Sequence, residues 1–473
     1  MRVESWLGRA AAARPSALAV QTPTGSLTYR ELALGAGAVA ALLGERGVRG
    51  GERVAIDLPA GLDFAAALHG TLLAGAVAVP VDERLGAAER ETVLAGAVAV
   101  LGAEELSALP EASRRAPAAP GAGAPPAAVP GAAAPVTHDL SSPAILIHTS
   151  GTSARPKPVV LSYGNLLWSA LGSAVAIGAE PDDRWLCAMP LAHVGGLSIL
   201  LRSAIRGSTA VVHERFETAR VLRSLSDERI TVVSLVATTL ARLLDAGLRE
   251  PPELRCALVG GGPVPDALLE RAWAAGVPAC QTYGLSEACS QVASASPFDV
   301  AEQGPETDGA GGAGARRPRG ARPLFCTSVR IGADGEILVA GPTVAAESIA
   351  EDGWLHTGDL GSLQAVGTLR VHGRASETIV TGGENVSPVE VEQALAEHPD
   401  VVEAAVVGRP DGEWGEAVTA IVVARAGSAT GSAELLAHCA ARLAPYKVPK
   451  VIELVGGPLP RTGSGKLLRR ALS

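Results

Sequence analysis

The sequence predicts an α/β protein with a large N-terminal domain of helix-covered, mostly parallel sheets and a small α+β domain at its C-terminal end. Three observations carry that reading. Short β-branched runs alternate with helix-like segments along most of the chain. The heptapeptide "LAGAVAV" occurs at 73–79 and again at 94–100, each copy supplying a helix end, a glycine turn and a strand. The texture then changes near residue 374 to a compact mixture of helix and strand.

In chain order, "AAALHGTLLAGAVAVPV" (65–81) reads as a helix running into a buried strand, because His69 and two glycines leave it short of a membrane span. Residues 107–136 are rich in alanine, proline and glycine and read as a flexible surface segment. "AILIHTS" is a strand, "LLWSALGSAVAIG" a helix, and "TAVVHE", "ITVVSLV" and "CALVGGG" are strands. A second loop covers 302–323. "PVEVEQALAEHPDVVEAAVVGRP" is a helix followed by a strand, "EAVTAIVVAR" a strand and "SAELLAHCAARL" a helix. The expected domains are 1–373 and 377–473, joined at 374–376.

Composition narrows the function. A chain of 473 residues exceeds one ordinary core. The net charge of -9 argues against a nucleic-acid partner or an anionic membrane surface. The start of the chain makes a poor signal peptide, since Glu4 and Arg14 interrupt any apolar run. Six cysteines lack C-x-x-C pairing and the nine histidines lack metal-ligand spacing, which points to free thiols in a cytoplasmic protein. Of 40 basic residues only four are lysines, Lys157, Lys447, Lys450 and Lys466, so each is a candidate for a site where a guanidinium cannot substitute.

"HTSGTSARPKPVVLS" (148–162) follows a strand with hydroxyls at Thr149, Ser150, Thr152 and Ser153, one glycine at Gly151, and Lys157. Backbone N–H groups and hydroxyls of this kind can cradle phosphate, with the lysine as a point charge. The bland alternative is a hydroxyl-rich turn. Walker A spacing is absent here, and "RTGSGKLL" (461–468) only imitates it, with Pro460 and Leu467 at the deciding positions.

"QTYGLSEACSQV" (281–292) sets Tyr283, Ser286 and Glu287 on one expected tight turn. Those types suit stacking on a base, a hydrogen bond to phosphate and magnesium ligation. "GWLHTGDLG" brings Asp359, a carboxylate able to take both hydroxyls of a ribose. "GRASETIVTGGENVSPVEVE" offers Arg374 and a glycine pair, and Lys466 lies on a glycine-flanked tail.

Through "TSGTSARPKPVV", "YGLSE", "HTGD", "GRASETIVTGGENVSPVEVE" and "LPRTGSGKLLRR", the sequence resembles the adenylate-forming superfamily of acyl-CoA synthetases, adenylation domains and luciferases over nearly the whole chain. All four lysines fall in such segments, "APYKVPK" included. The resemblance implies a cytoplasmic, AMP-forming acid–thiol ligase. A carboxylate attacks the α-phosphate of Mg-ATP, and a thiol, usually of coenzyme A, then displaces AMP. It implies that Lys466 contacts the acyl carboxylate and bridging oxygen, while Lys157 and the hydroxyl loop (Thr149 to Ser153) hold pyrophosphate. It further implies that Tyr283, Gly284, Ser286, Asp359 and Arg374 bind nucleotide, and that Glu287 holds magnesium. Gly382, Gly383 and Glu384 would line the CoA channel after the small mobile domain rotates about Ser376.

"MPLAHVGGLSILLRS", "LVGGGPVP" and "EACSQV" carry a narrower resemblance, to the o-succinylbenzoate–CoA ligases of menaquinone biosynthesis. It implies substrate-binding roles for His193, Gly195, Arg202, Gly260, Gly261 and Ser290. Arg202 would clamp the aromatic carboxylate bidentately; the competing reading puts it on a helix surface. His193 could instead be a packed or capping histidine. Cys289 reads as a wall residue, with no histidine base placed near it in sequence.

Alternatives within the class are another aryl- or acyl-CoA ligase and a carrier-protein-loading adenylating enzyme. The alternative outside it is an inactive adenylate-binding regulator, which the retention of Lys466, Glu287, Asp359 and Arg374 opposes. The expected partners are an aromatic carboxylic acid, ATP and CoA, with a homodimer as the candidate assembly.

Overall fold

The computed structural model describes residues 1–109, 136–149, 157–298, 320–365, 367–461 and 467–472. Among the described residues, four larger sheets and a two-stranded ribbon carry the architecture. The repeated heptapeptide behaves as its spacing predicts. Its copies end the helices Leu62–Leu73 and Ala87–Leu94 and enter the strands Val77–Pro80 and Ala99–Leu101. Both strands flank Arg53–Ile56 in parallel, which is the expected βαβ arrangement. Pro143–Thr149 and Lys157–Ser162 complete this five-stranded sheet as an antiparallel pair.

The second sheet has nine strands. Leu18–Thr22, Thr209–Val212, Arg184–Cys187, Val232–Leu235, Cys256–Val259 and Ala279–Leu285 run parallel across its centre. Ser290–Ser294 and Arg322–Pro323 extend it antiparallel at one edge. The end of the expected 302–323 loop is therefore an edge strand; most of that loop, like most of 107–136, lies outside the described residues.

Apolar faces explain the layering. The helices Tyr29–Glu45 and Leu62–Leu73 pack so closely that a Cβ on Gly70 would sit 2.5 Å from Val39 Cβ and 2.7 Å from Ala36 O. Thr28 starts the first of them with a capping box, exchanging hydrogen bonds with Glu31. The helix Tyr163–Ile177 begins with the same device, Ser162 with Asn165. Val194–Arg206 stops at Gly207, whose φ of 75° supplies the left-handed C-cap. Near the N-terminus, Arg2–Glu4 pairs with Thr137–Asp139.

Ser328–Ile331, Glu336–Ala340, Leu355–Leu363 and Leu369–Arg374 form a four-stranded antiparallel sheet. After it, Ile379–Thr381, Glu384–Val386, Val401–Asp411, Gly415–Ala424 and Val451–Val455 form the last sheet, covered by the helices Pro388–Ala396 and Ser432–Ala440. The change of texture near 374 thus coincides with a change of sheet. All six cysteines are free thiols. Among the described residues no helix is long and apolar enough to cross a membrane.

Candidate active site

The two strands around the hydroxyl-rich loop meet in register, with Thr149 opposite Lys157 and Thr149 Oγ1 donating to Lys157 O at 3.1 Å. An exposed Lys157 therefore starts the second strand directly opposite Thr149. Ser150, Gly151, Thr152 and Ser153 lie outside the described residues.

One expectation needs correcting. Tyr283, Ser286 and Glu287 do not share a tight turn: Tyr283 lies within the strand Ala279–Leu285, and only Ser286 and Glu287 lie on the following 3-10 turn, Ser286–Ala288. A register shift at Tyr283/Gly284 separates them. Gly284 is required there, because a Cβ would fall 1.5 Å from Ser290 O. Cys289 and Ser290 follow with φ of 54° and 90°, a left-handed backbone held without glycine, which marks stored strain.

Asp359, 7% exposed, gathers the nucleotide candidates. Tyr283 donates its hydroxyl to Asp359 Oδ2 at 2.7 Å, and Arg374 Nε lies 2.8 Å from Oδ1. Burial, reinforced by the Asp359 charge, raises the Tyr283 phenol, which stays a donor. The local "HTGD" geometry explains the placement. Thr357 Oγ1 donates to Ile337 O at 2.7 Å and accepts from Asp359 N at 3.1 Å. Gly358 adopts φ of 69° and donates to Glu336 Oε1 at 2.7 Å, while His356 Nδ1 lies 2.9 Å from Glu336 Oε2. Glu336, which the sequence reading missed, is the support for this turn.

The acid-pocket candidates separate into two groups. His193 caps the helix Val194–Arg206 by position but makes no side-chain cap bond. Its Nε2 faces Arg84 Nη2 at 3.2 Å and Asp82 Oδ2 at 3.5 Å. Burial raises the Asp82 carboxyl, but the hydrogen bonds and charge of Arg84 outweigh it and the net direction is downward. Gly196 lets this turn close, since a Cβ would sit 2.5 Å from Pro190 O; at neighbouring Gly195 it would come within 3.1 Å of Met189 Cε.

Arg202 lies two and a half turns further along the same helix and is 2% exposed, so the surface reading fails. One Nη2 donates to Ser169 Oγ at 2.9 Å, the guanidinium sits over Trp185 at 5.6 Å, and Nε has no hydrogen-bond partner. Among the described residues no carboxylate pairs with it, and burial, followed by Arg206, pushes its pKa down to about 9. Ser169 Oγ itself donates to Cys289 O at 2.6 Å, tying Arg202 to the strained turn that carries Ser290. Cys289 is buried and its thiol is pushed up to about 11, which suits a wall residue.

Gly260 exits the strand Cys256–Val259 where a Cβ would meet Thr282 O at 2.6 Å, and Gly261 takes φ of 78°. In the last sheet, Gly382 and Gly383 have φ of 59° and 84° and form a two-residue hairpin between Ile379–Thr381 and Glu384–Val386. Trp414 backs Gly382, and Lys450 Nζ lies 4.3 Å from the Trp414 ring. Ser376 sits in the 3-10 turn Ala375–Glu377, directly after Arg374. Lys466 lies outside the described residues.

Residues 7–347 match the family model of the AMP-binding enzyme, and residues 390–466 match that of the AMP-binding enzyme C-terminal domain. The chain belongs to the AMP-binding enzyme family. A 2-succinylbenzoate–CoA ligase of Bacillus licheniformis is 37% identical over 99% of both chains. The o-succinylbenzoate CoA synthetase of Bacillus subtilis, in complex with the acyl-adenylate intermediate OSB-AMP, superposes with a TM-score of 0.83 at 34% identity, covering 100% of this chain and 98% of that one. A double mutant of that synthetase bound to the product analogue OSB-NCoA has the same identity and coverage but a TM-score of 0.67.

Proposed function

We propose that the chain is an ATP-dependent, AMP-forming o-succinylbenzoate–CoA ligase. It joins the acid to AMP with release of pyrophosphate, and then exchanges AMP for the thiol of coenzyme A. The family match and the relatives' activity support the reaction class. The observation that carries the substrate is Arg202, a buried guanidinium that no carboxylate among the described residues pairs with. A charge removed from water in this way is costly until an anion meets it. The ring carboxylate of o-succinylbenzoate supplies that anion, leaving the aliphatic carboxylate for activation.

The same proposal assigns roles to the remaining residues. Asp359, fixed by Arg374 and Tyr283, accepts the ribose hydroxyls. Lys157 and Thr149 stand where the pyrophosphate loop begins and ends, with Ser286 toward the phosphates. Magnesium arrives with ATP and needs only one or two protein carboxylates, a requirement that Glu287 on its short turn meets; bound there it neutralises phosphate charge. Gly195, Gly260, Gly261 and Ser290 shape the acid pocket beside His193. Gly382, Gly383 and Glu384 line the path of CoA, and Lys466 stabilises the charge that develops in the first step.

The division into 1–373, a hinge at 374–376 and 377–473 belongs to the same proposal, as do a cytoplasmic location and a homodimer as the assembly state. The higher TM-score against the adenylate-bound relative supports an arrangement suited to the first half-reaction. Incubation with ATP, magnesium, CoA and a panel of aromatic and aliphatic acids tests the proposal. Mass spectrometry should find o-succinylbenzoyl-CoA as the dominant thioester; a different acyl-CoA dominating would refute the substrate.

A further inference from the structure

Arg461 and Leu467 flank residues 462–466, which lie outside the described residues. Arg461 and Leu467 form an antiparallel bridge, and Leu468 N donates to Pro460 O at 2.8 Å. On the incoming side, Arg461 pairs with Glu403 on the strand Val401–Asp411. On the outgoing side, Arg469 begins a short turn and is 13% exposed. Its Nη2 donates to both carboxylate oxygens of Glu392, at 2.8 and 2.7 Å, while Nη1 lies 3.0 Å from Glu377 Oε2.

Those acids come from different elements. Glu392, 14% exposed, belongs to the helix Pro388–Ala396, and its Oε1 also accepts from Val406 N at 2.8 Å. Glu377 ends the turn that contains Ser376. One guanidinium therefore joins the tail, a helix, a strand and the turn between two sheets. Burial pushes the Glu392 carboxyl up to about 7 against the pull of Arg469, so this pair sits in a poorly solvated place where geometry matters. A lysine could not bridge both acids in the same way, because it lacks the planar fork.

We propose that Arg469 is a positioning residue for acyl-adenylate formation: it ties the chain that directly follows Lys466 to Glu392 and to Glu377 in the turn after Arg374, so that the anchor of Lys466 is fixed to that turn. The inference rests on the reading that Lys466 drives the first half-reaction. A displacement of about 1 Å at a reacting group costs on the order of 100-fold in rate. A loosened anchor therefore acts on the step Lys466 serves and spares the step it does not.

The test compares Arg469→Lys, Arg469→Ala, Glu392→Gln and Lys466→Ala in the full chain. Two half-reactions are measured separately: ATP–pyrophosphate exchange, and CoA thioester formation from supplied o-succinylbenzoyl-adenylate. Arg469→Lys should lose on the order of 10- to 100-fold in exchange, with thioester formation and melting temperature nearly unchanged. Glu392→Gln, which keeps an acceptor for Arg469, should lose less. Should Arg469→Ala fail to fold, these two variants carry the test. Exchange kept by Arg469→Lys while Lys466→Ala abolishes it overturns the positioning role alone. Equal loss of both half-reactions by Arg469→Lys also overturns it, since a purely structural prop would act that way. Exchange kept by Lys466→Ala overturns the Lys466 reading and this proposal together.

Discussion

Arg374 Nε lies 2.8 Å from Asp359 Oδ1, and the two residues are direct cross-strand partners on Leu355–Leu363 and Leu369–Arg374. The pair fixes a carboxylate at the end of a sheet, immediately before the turn that carries Ser376. Because Arg374 is 46% exposed, the ion pair contributes at most about 1 kcal/mol to stability. Its value lies in aiming Asp359. Asp359→Asn should leave the melting temperature nearly unchanged yet raise KM for ATP by about 10-fold or more, the worth of a hydrogen bond to a charged acceptor. Thermal denaturation and exchange kinetics check both halves, and an unchanged KM would remove Asp359 from the ribose.

Arg202 predicts the opposite of an ordinary core residue. Arg202→Met replaces a buried charge that no described carboxylate pairs with by an apolar chain of similar length, so the melting temperature should hold or rise. Activity with o-succinylbenzoate should fall by about 100-fold or more, the scale of leaving a buried charge unmatched. An analogue without the ring carboxylate should lose little. Equal losses on both acids would place the ring carboxylate elsewhere.

A histidine pair predicts acid sensitivity. His69 and His138 are buried, and burial pushes each imidazole down to about 4. The unfolded chain, titrating near 6.5, then binds more protons than the folded one between those values, so stability falls as pH drops through that window. His138 stacks on Tyr163 at 4.2 Å, and phenylalanine can keep that stack. Melting curves between about pH 7 and pH 5 should fall less steeply for His138→Phe than for the parent chain. Parallel curves would show that this imidazole carries none of the effect.

Cys289 lies beside the site without the chemistry of a nucleophile. Its thiol, pushed up to about 11 by burial, is neutral at pH 8. Iodoacetamide should leave it unlabelled in the folded protein, and Cys289→Ala should keep exchange within about an order of magnitude. Rapid labelling accompanied by inactivation would contradict the role of a wall residue.

The elements were legible wherever local signals act alone. The repeated heptapeptide and the apolar strands leaving into glycine depend on neighbours in sequence, and each lies where its pattern puts it. The residue types of the site were legible through motifs, but their partners were not. Ser169 and Trp185 reach Arg202 from other elements, and Asp82 and Arg84 reach His193 from a loop far back in the chain. Glu336 sits on the strand beside "HTGD" and carries no mark in its own sequence. The positive φ at Cys289 and Ser290 escaped notice because neither is glycine. Tyr283 was misplaced because a register shift, a property of paired strands, divides it from Ser286.

Pyrophosphate exchange driven by o-succinylbenzoate tests the central claim most directly. With magnesium, labelled pyrophosphate and ATP, exchange should require the acid, and o-succinylbenzoate should exceed its analogue lacking the ring carboxylate by about 100-fold in kcat/KM, the selectivity expected of a buried charge that must be matched. Equal exchange with both acids, or none with either, would contradict the account.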